Sequence, residues 1–386
     1  MKKLKILHLY SDWKWTGPAE PVIQMCQALE EMGHEVTFAC RATPPEHMGC
    51  EETVEMKAAE YGINFTTEFG LNRYWGLKDS VNDLIKLPAY LRKNKIDVLH
   101  THLSHDHAFG AYAVKMCFGH KVTLVKSMHN KNVLPDLFLN QRLIGKIKGH
   151  SGLAVFSEGF KQEYSSRFHI APSNIGICPM PLDLDKFHPA REFKNQREDY
   201  KIPADSPLIG IVARFQKYRR MDVFMEAARK VADEFPKVRF MVIGRSGQME
   251  ETVIKPMKAL GLEENVVTPG YLIDNYVDMM QTIDIFTLMT PGFDGTARAM
   301  REAMALGKPC VVSNVGMLPE IVEHKKTGMV FEFTSADELA ESWLTLLRDD
   351  SVLKAQGEAA AKYAKETFRI DQVGPALDAF YNKLMN

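Results

Sequence analysis

Two α/β domains, each built on an open parallel sheet, are predicted by three features of the sequence. These are its length, its alternation of short β-branched runs with amphipathic stretches, and a restart of that alternation near the middle. A chain of 386 residues exceeds the size at which one hydrophobic core usually keeps growing. The runs LKILHLY, HEVTFAC, IDVLHTH, KVTLVKS and GLAVFS are apolar on both faces and are separated by helical patterns such as residues 21–31. That is the grammar of parallel strands covered by helices on both sides. It begins again at LIGIVARF and continues through VRFMVIG, IDIFTLM and KPCVVSN.

Between the halves, residues 186–206 are polar, irregular and rich in Lys, Arg, Asp and Pro, as a linker is. The expected organisation is therefore a first domain over 1–185, the linker, a second domain over 207–370 and a closing helical segment over 371–386. Packing of that segment back on the first domain is one arrangement open to it.

Composition narrows the class. A net charge of −1 with 25% charged residues lacks the excess of one sign that disorder or nucleic-acid binding leaves, so no nucleic-acid partner is expected. The six cysteines form no C-x-x-C pair, which suits buried, reduced thiols in a cytoplasm. The opening apolar run, residues 6–10, is too short for a secretory h-region and reads as a first strand. No stretch approaches the ~20 apolar residues that cross a bilayer. Membrane contact would be peripheral, on the inner face: in NQRLIGKIKG, Arg142, Lys146 and Lys148 either meet anionic lipid head groups or form a solvated face.

Open parallel sheets bind ligands in crevices at the carboxyl ends of their strands, so the loops after strands are where chemistry is sought. In PGFDGTARAMREAMALGKPCVVSN, Asp294 and Gly295 precede a helical run whose apolar face is Ala297, Met300, Ala303 and Met304. The backbone N–H groups of residues 296–298, Thr296, Ala297 and Arg298, would lie free at a helix start, where dipole and donors together stabilise a diphosphate. The bland alternative makes Asp294 a cap and Glu302 a solvated, partly exposed helical carboxylate. Arg214, Arg219 and Arg220 follow the first strand of the second half, and guanidinium groups grip phosphate oxygens bidentately. Gly244 and Gly247 follow the next strand in a tight turn. LHTHLSHDH holds His100, His102, His105 and His107, but its spacing does not converge ligands as a zinc site does, and no metal is expected there. No strand is followed by G-x-G-x-x-G, which argues against a dinucleotide-dependent oxidoreductase.

Taken in order, VARFQKYRR, VIGRSG, DGTARAMREAMALGKPCVVSNVGMLPEIV and KKTGMVFE strongly resemble the second domain of the GT4 family of retaining GT-B glycosyltransferases, and fainter likeness extends over the whole chain. The resemblance implies a GT-B fold, in which two facing Rossmann-like domains with parallel sheets enclose a deep interdomain cleft. It also implies transfer of a sugar with retention from a nucleoside-diphosphate sugar to a glycan, lipid-linked glycan or small-molecule acceptor, without cofactor or metal. By family position Asp294 touches the donor sugar, where the family commonly has Glu. Glu302 holds the ribose, and Arg214 with Arg219 grips the diphosphate, Arg219 standing where the family has Lys. Tyr271 lies by the nucleobase, and His129 contacts the transferred sugar near its reacting carbon. The family's paired glycines after the first strand are Gly17 and Pro18 here, so only Gly17 carries over. A nucleotide-sugar epimerase or hydrolase, and a non-catalytic nucleotide-sugar-binding protein, are the other readings of the same scaffold.

Overall fold

The computed structural model describes residues 2–49, 52–74, 76–129, 133–291 and 297–386. The chain forms two units: residues 1–181 with 370–386, and residues 182–369.

In the first unit seven strands, β1 (Lys5–Tyr10), β2 (Glu35–Cys40), β3 (Phe65–Thr66), β4 (Val98–Thr101), β5 (Thr123–Ser127), β6 (Ser151–Val155) and β7 (Ile175–Ile177), form one sheet in the order 3-2-1-4-5-6-7. Every pairing is parallel. Residues 6–10 of β1 are wholly buried, as a strand with helices on both faces must be. The helix Ala19–Glu31 buries Val22, Ile23, Cys26 and Leu29 at helical spacing and gives way to Gly33 at φ +88°, a left-handed position that favours glycine.

The segment 370–386 belongs to this unit. Its helix Val373–Met385 lies so close to Ala19–Glu31 that a Cβ at Gly374 would strike the carbonyl of Ala28 and the sulfur of Met32. Phe380 fills the space over Gly152 and Gly176, and Asp378 pairs with His34 at 3.2 Å.

The second unit carries β8 (Leu208–Val212), β9 (Arg239–Ile243), β10 (Val266–Gly270), β11 (Ile285–Leu288), β12 (Cys310–Ser313) and β13 (Gly328–Phe331) in the order 10-9-8-11-12-13, again all parallel. Its core centres on Trp343, fully buried, edge-on to Phe224 with ring centroids 5.1 Å apart and donating its indole N–H to Thr287 Oγ1 at 2.9 Å. Residues 186–206 are fastened to this unit: Arg191 pairs with Asp278 at 2.7 Å, Arg197 with Asp284 at 2.8 Å, and Gln196 N–H donates to Thr282 Oγ1.

Both sheets have the doubly wound order, so each has one point where strand order reverses: between β1 and β4, and between β8 and β11. Outside the carboxyl ends of those strands the flanking loops part and leave a crevice.

Candidate active site

In the second unit the crevice is bridged by an arginine. Arg219, only 5% exposed, lies after β8 and directs its NH1 group to Thr290 O, Thr290 Oγ1 and Pro291 O after β11, at 2.9, 2.9 and 2.8 Å. Its Nε is buried without a partner among the described residues. The expected diphosphate grip is thus partly redirected: NH1 is spent on holding the loop that leads to residue 292. Arg214 is exposed, and no hydrogen bond or ion pair engages its side chain among the described residues. Arg220 turns away to Asp222 at 2.8 Å.

Gly244, after β9, has φ +141°, and a Cβ there would run into the carbonyl oxygen of Ala213. Its N–H donates to Gly270 O at 2.8 Å, so the ends of β8, β9 and β10 are drawn together where only glycine fits. Tyr271 follows β10, 59% exposed, with the Arg245 guanidinium 4.5 Å from its ring centroid. A planar cation on an aromatic face makes a flat platform.

Glu302 is not the solvated carboxylate of the bland alternative: it is 3% exposed. Tyr276 donates its hydroxyl to Oε2 at 2.6 Å, and Arg298 donates Nε–H to Oε1 at 2.8 Å. Burial, and then Glu302 itself, push the Tyr276 hydroxyl well above its ordinary range. The helix carrying Glu302 runs Arg298–Ala305, and Ala297 before it takes left-handed φ, ψ of 49° and 42°, a conformation an alanine adopts only under constraint. Asp294, Gly295 and Thr296 lie outside the described residues.

In the first unit the bridge is a carboxylate. Asp106, fully buried, accepts N–H groups from Ser11 after β1 at 3.1 Å, and from His102 and Leu103 after β4 at 3.0 and 2.9 Å. Burial pushes its carboxyl up to about 6, opposed by Lys126 and those N–H groups. Lys126, whose ammonium burial lowers to about 8, donates to Leu103 O at 2.6 Å and lies 4.0 Å from Asp106. His129, two residues past β5 and 5% exposed, meets His102 with its Nε2 3.1 Å from Nδ1. Burial drives the His129 imidazolium down to about 3, so the ring is neutral. Gly17 is exposed in the turn before helix Ala19–Glu31.

Among the other histidines, His107 is tied to Thr101 Oγ1 and Leu143 O at 3.0 and 3.1 Å. His8, His100 and His102 have nitrogens within 4.8 Å of one another. The nitrogens of His100 are taken by the Tyr381 hydroxyl at 2.6 Å and Ser127 Oγ at 2.8 Å, and both of His102 by neighbouring imidazoles.

Beside β1 and β2 a cavity of about 240 Å³ is lined by Asp12, Trp13, Lys14, Arg41, His47 and Arg73, among others. Arg73 pairs with Asp12 at 2.9 Å, and Trp13 stacks on His47 with centroids 4.6 Å apart. Asp106, Tyr276, Arg245 and His8 were not singled out by the sequence. The one local sign was Asp106 at the third position of its helix, where a carboxylate reaches back to free N–H groups.

Two parallel sheets, each with its switch-point loops clamped by one buried charge, make a two-unit α/β protein of the doubly wound class. Residues 192–364 match the family model described as "Glycosyl transferases group 1", and residues 16–186 the model described as "Glycosyltransferase Family 4". Relatives in sequence include the N-acetyl-alpha-D-glucosaminyl L-malate synthase of Bacillus anthracis, 23% identical over 93% of this chain and 91% of that protein. Another is the UDP-Gal:alpha-D-GlcNAc-diphosphoundecaprenol alpha-1,3-galactosyltransferase of Escherichia coli, 24% identical over 100% of this chain and 98% of that one. In structure the chain is similar to a glycosyltransferase from Rickettsia africae, with TM-score 0.82, 16% identity and full coverage of both chains. It is also similar to Anabaena HepE in complex with UDP, with TM-score 0.79, 16% identity, and 99% of this chain and 100% of that one covered. The chain belongs to glycosyltransferase family 4, with the GT-B fold.

Proposed function

We propose that this chain transfers a sugar from a nucleoside-diphosphate sugar to a polar acceptor with retention of anomeric configuration and without a metal ion. The observation that carries the reading is Glu302, a buried carboxylate whose two oxygens are oriented by Tyr276 and Arg298 at the start of a helix. A carboxylate so fixed fits the two hydroxyls of a ribose. Tyr271 backed by Arg245 fits the nucleobase. The exposed Arg214 and the N–H groups at the helix start supply positive charge for the diphosphate. In this reading Arg219 holds the loop, and its remaining guanidinium edge joins Arg214.

Glycosyl transfer passes through an oxocarbenium-like state, so negative charge grows on the departing diphosphate while the anomeric carbon becomes positive. Same-face attack lets the departing phosphate take the acceptor's proton, and no side-chain nucleophile is assigned. His129 and Asp294 orient the transferred sugar. The acceptor enters from the first unit, whose ion-lined cavity suits a polar group such as a sugar or a carboxylate rather than a lipid chain. Where the acceptor is lipid-linked, the exposed Leu137, Phe138 and Leu139, beside Arg142, Lys146 and Lys148, would rest on anionic head groups.

The test begins with a thermal-shift screen of nucleotide sugars, because a donor that binds only the folded state raises its melting temperature. NMR of the product's anomeric proton then reads stereochemistry with and without EDTA. An α-linked product from an α-donor, formed equally with chelator, is expected. A β-linkage, or activity lost to EDTA and restored by Mg²⁺ or Mn²⁺, would overturn the mechanism.

A further inference from the structure

Three cations meet at the cavity beside β1 and β2, each carried by the chain that follows a different strand. Lys14 comes after β1, Arg41 after β2 and Arg73 after β3. All three therefore stand at the carboxyl edge, where sheets of this kind take their ligands. Arg41 also lines an adjoining hollow of about 380 Å³, together with Thr43, Gly70 and Asp79.

The acids around these cations are either spent or out of reach. Asp12, buried, accepts the N–H groups of Trp13 and Lys14 on Oδ1 at 2.9 and 3.2 Å, and Arg73 NH1 on Oδ2 at 2.9 Å. It is a brace for Arg73. Asp79 gives its Oδ2 to Asn72 at 2.8 Å and stays 3.9 Å from Arg41 NH2, too far for a hydrogen bond. Only Glu46 is left to accept, and it is exposed.

The donors, by contrast, are largely unspent. Among the described residues the Arg41 guanidinium makes no hydrogen bond, and Arg73 uses NH1 alone. The exposed Lys14 ammonium lies 5.2 Å from the centroid of the Trp13 ring. A guanidinium offers five N–H groups and accepts nothing, whereas each hydroxyl of a neutral sugar has a hydrogen of its own to place. One exposed carboxylate could serve few such hydroxyls. An anionic oxygen group needs donors only, and guanidinium groups bind it through paired N–H bonds.

We propose that this cavity is the acceptor subsite and that it takes an acidic group of the acceptor, a carboxylate or a phosphate, held by Arg41 and the free edge of Arg73. This rests on the first unit being the acceptor side under the proposed function. The stacked rings of Trp13 and His47 form a flat wall beside that group. Held by its acid, the acceptor reacts through a hydroxyl elsewhere on the molecule. That oxygen bonds to the anomeric carbon, the carbon–oxygen bond to the diphosphate breaks, and the hydroxyl proton passes to the departing phosphate.

The test is calorimetry on the full chain with three probes of one skeleton: glycerol, glycerate and glycerol 3-phosphate. Saturating UDP is present throughout, to keep the probes out of the second unit. Glycerate or glycerol 3-phosphate should bind and glycerol should not. Arg41→Gln should weaken the anion about tenfold, the effect of losing a charge-assisted hydrogen bond. Its melting temperature should not move, because Arg41 is bonded to nothing else. Glu46→Gln should tighten the anion, since it removes a like charge; a weakening would mean that Glu46 accepts from neutral hydroxyls and would overturn the proposal. Equal binding of glycerol, no binding of either anion, or binding untouched by Arg41→Gln would also overturn it. Geranyl diphosphate is the fourth probe. If it binds more tightly than glycerol 3-phosphate, with the same dependence on Arg41, the acid group belongs to a lipid-linked acceptor; the reverse order assigns it to a small soluble one, and the subsite stands in both cases. A thermal-shift screen of nucleotide sugars separates this proposal from the reading beneath it. Donor binding without Arg41-dependent anion binding leaves the transferase reading and ends the proposal. Arg41-dependent anion binding with no nucleotide sugar bound leaves an anion site and ends the acceptor role.

Discussion

Tyr276 donates its hydroxyl to Glu302 Oε2 at 2.6 Å while Arg298 Nε holds Oε1 at 2.8 Å. A side chain that helical spacing alone would leave on a wet face is thereby turned into an oriented, buried acceptor. Each oxygen keeps a lone-pair direction for a ligand hydroxyl, because a carboxylate oxygen accepts more than one hydrogen bond.

Glu302→Gln keeps the shape and removes the charge. Donor affinity should fall about tenfold, and the fold should lose about 1 kcal/mol as charge-assisted bonds become neutral ones. Tyr276→Phe leaves Oε2 short of its protein donor and should cost about 1–3 kcal/mol of stability. Isothermal calorimetry with the donor separates the two effects: unchanged affinity in Glu302→Gln would assign the carboxylate to packing alone.

Arg214 and Arg219 should part company. Arg214, exposed and without a protein partner among the described residues, is expected to act on charge that grows toward the transition state, so Arg214→Ala should depress kcat more than donor binding, with little change in melting temperature. Arg219 ties Thr290 and Pro291 to the β8 loop, and its truncation would leave buried carbonyls unpaired. Arg219→Ala should lower the melting temperature by several degrees as well as activity. Equal losses of donor binding and kcat in Arg214→Ala would make it a binder only.

Gly244→Ala tests the junction of β8, β9 and β10. At φ +141° with the Ala213 carbonyl in the way, a methyl group forces the backbone to shift, at a cost of about 2–3 kcal/mol. Chemical denaturation should show that loss. Gly247→Ala, in open space, is the control and should be nearly neutral.

Acid should weaken the first unit in a defined window. Burial holds His8, His107 and His129 at about 3, whereas in the unfolded chain they titrate near 6.5. Between those values the unfolded state binds more protons, so stability is intact above about pH 6.5 and falls as pH drops toward 3, by about 1.4 kcal/mol per pH unit for each ring. Asp106, raised by burial to about 6, works in the opposite sense between its unfolded value and 6, but it is one group against several. Thermal melts from pH 7 to 4 should show the decline, and replacing His107 by Gln should flatten it.

How far the sequence alone reached can be judged residue by residue. Strand runs such as KILHLY and LIGIV were legible because burial on both faces demands unbroken apolar stretches, and Gly33 and Gly244 were legible because turns after helices and strands select glycine. Motif order pointed to Arg214, Arg219, Tyr271 and Glu302, but it could not say what each would touch. Periodicity reports only neighbours within a helical turn or a strand repeat. Ser11 meets Asp106 across 95 positions, His8 meets His102 across 94, Arg219 meets Thr290 across 71, and Tyr276 meets Glu302 across 26. Those meetings are set by the register of parallel strands and by which loops flank a switch point. Whether an arginine grips a ligand or a loop, and whether a carboxylate is wet or held, was therefore decided only when the sheets closed.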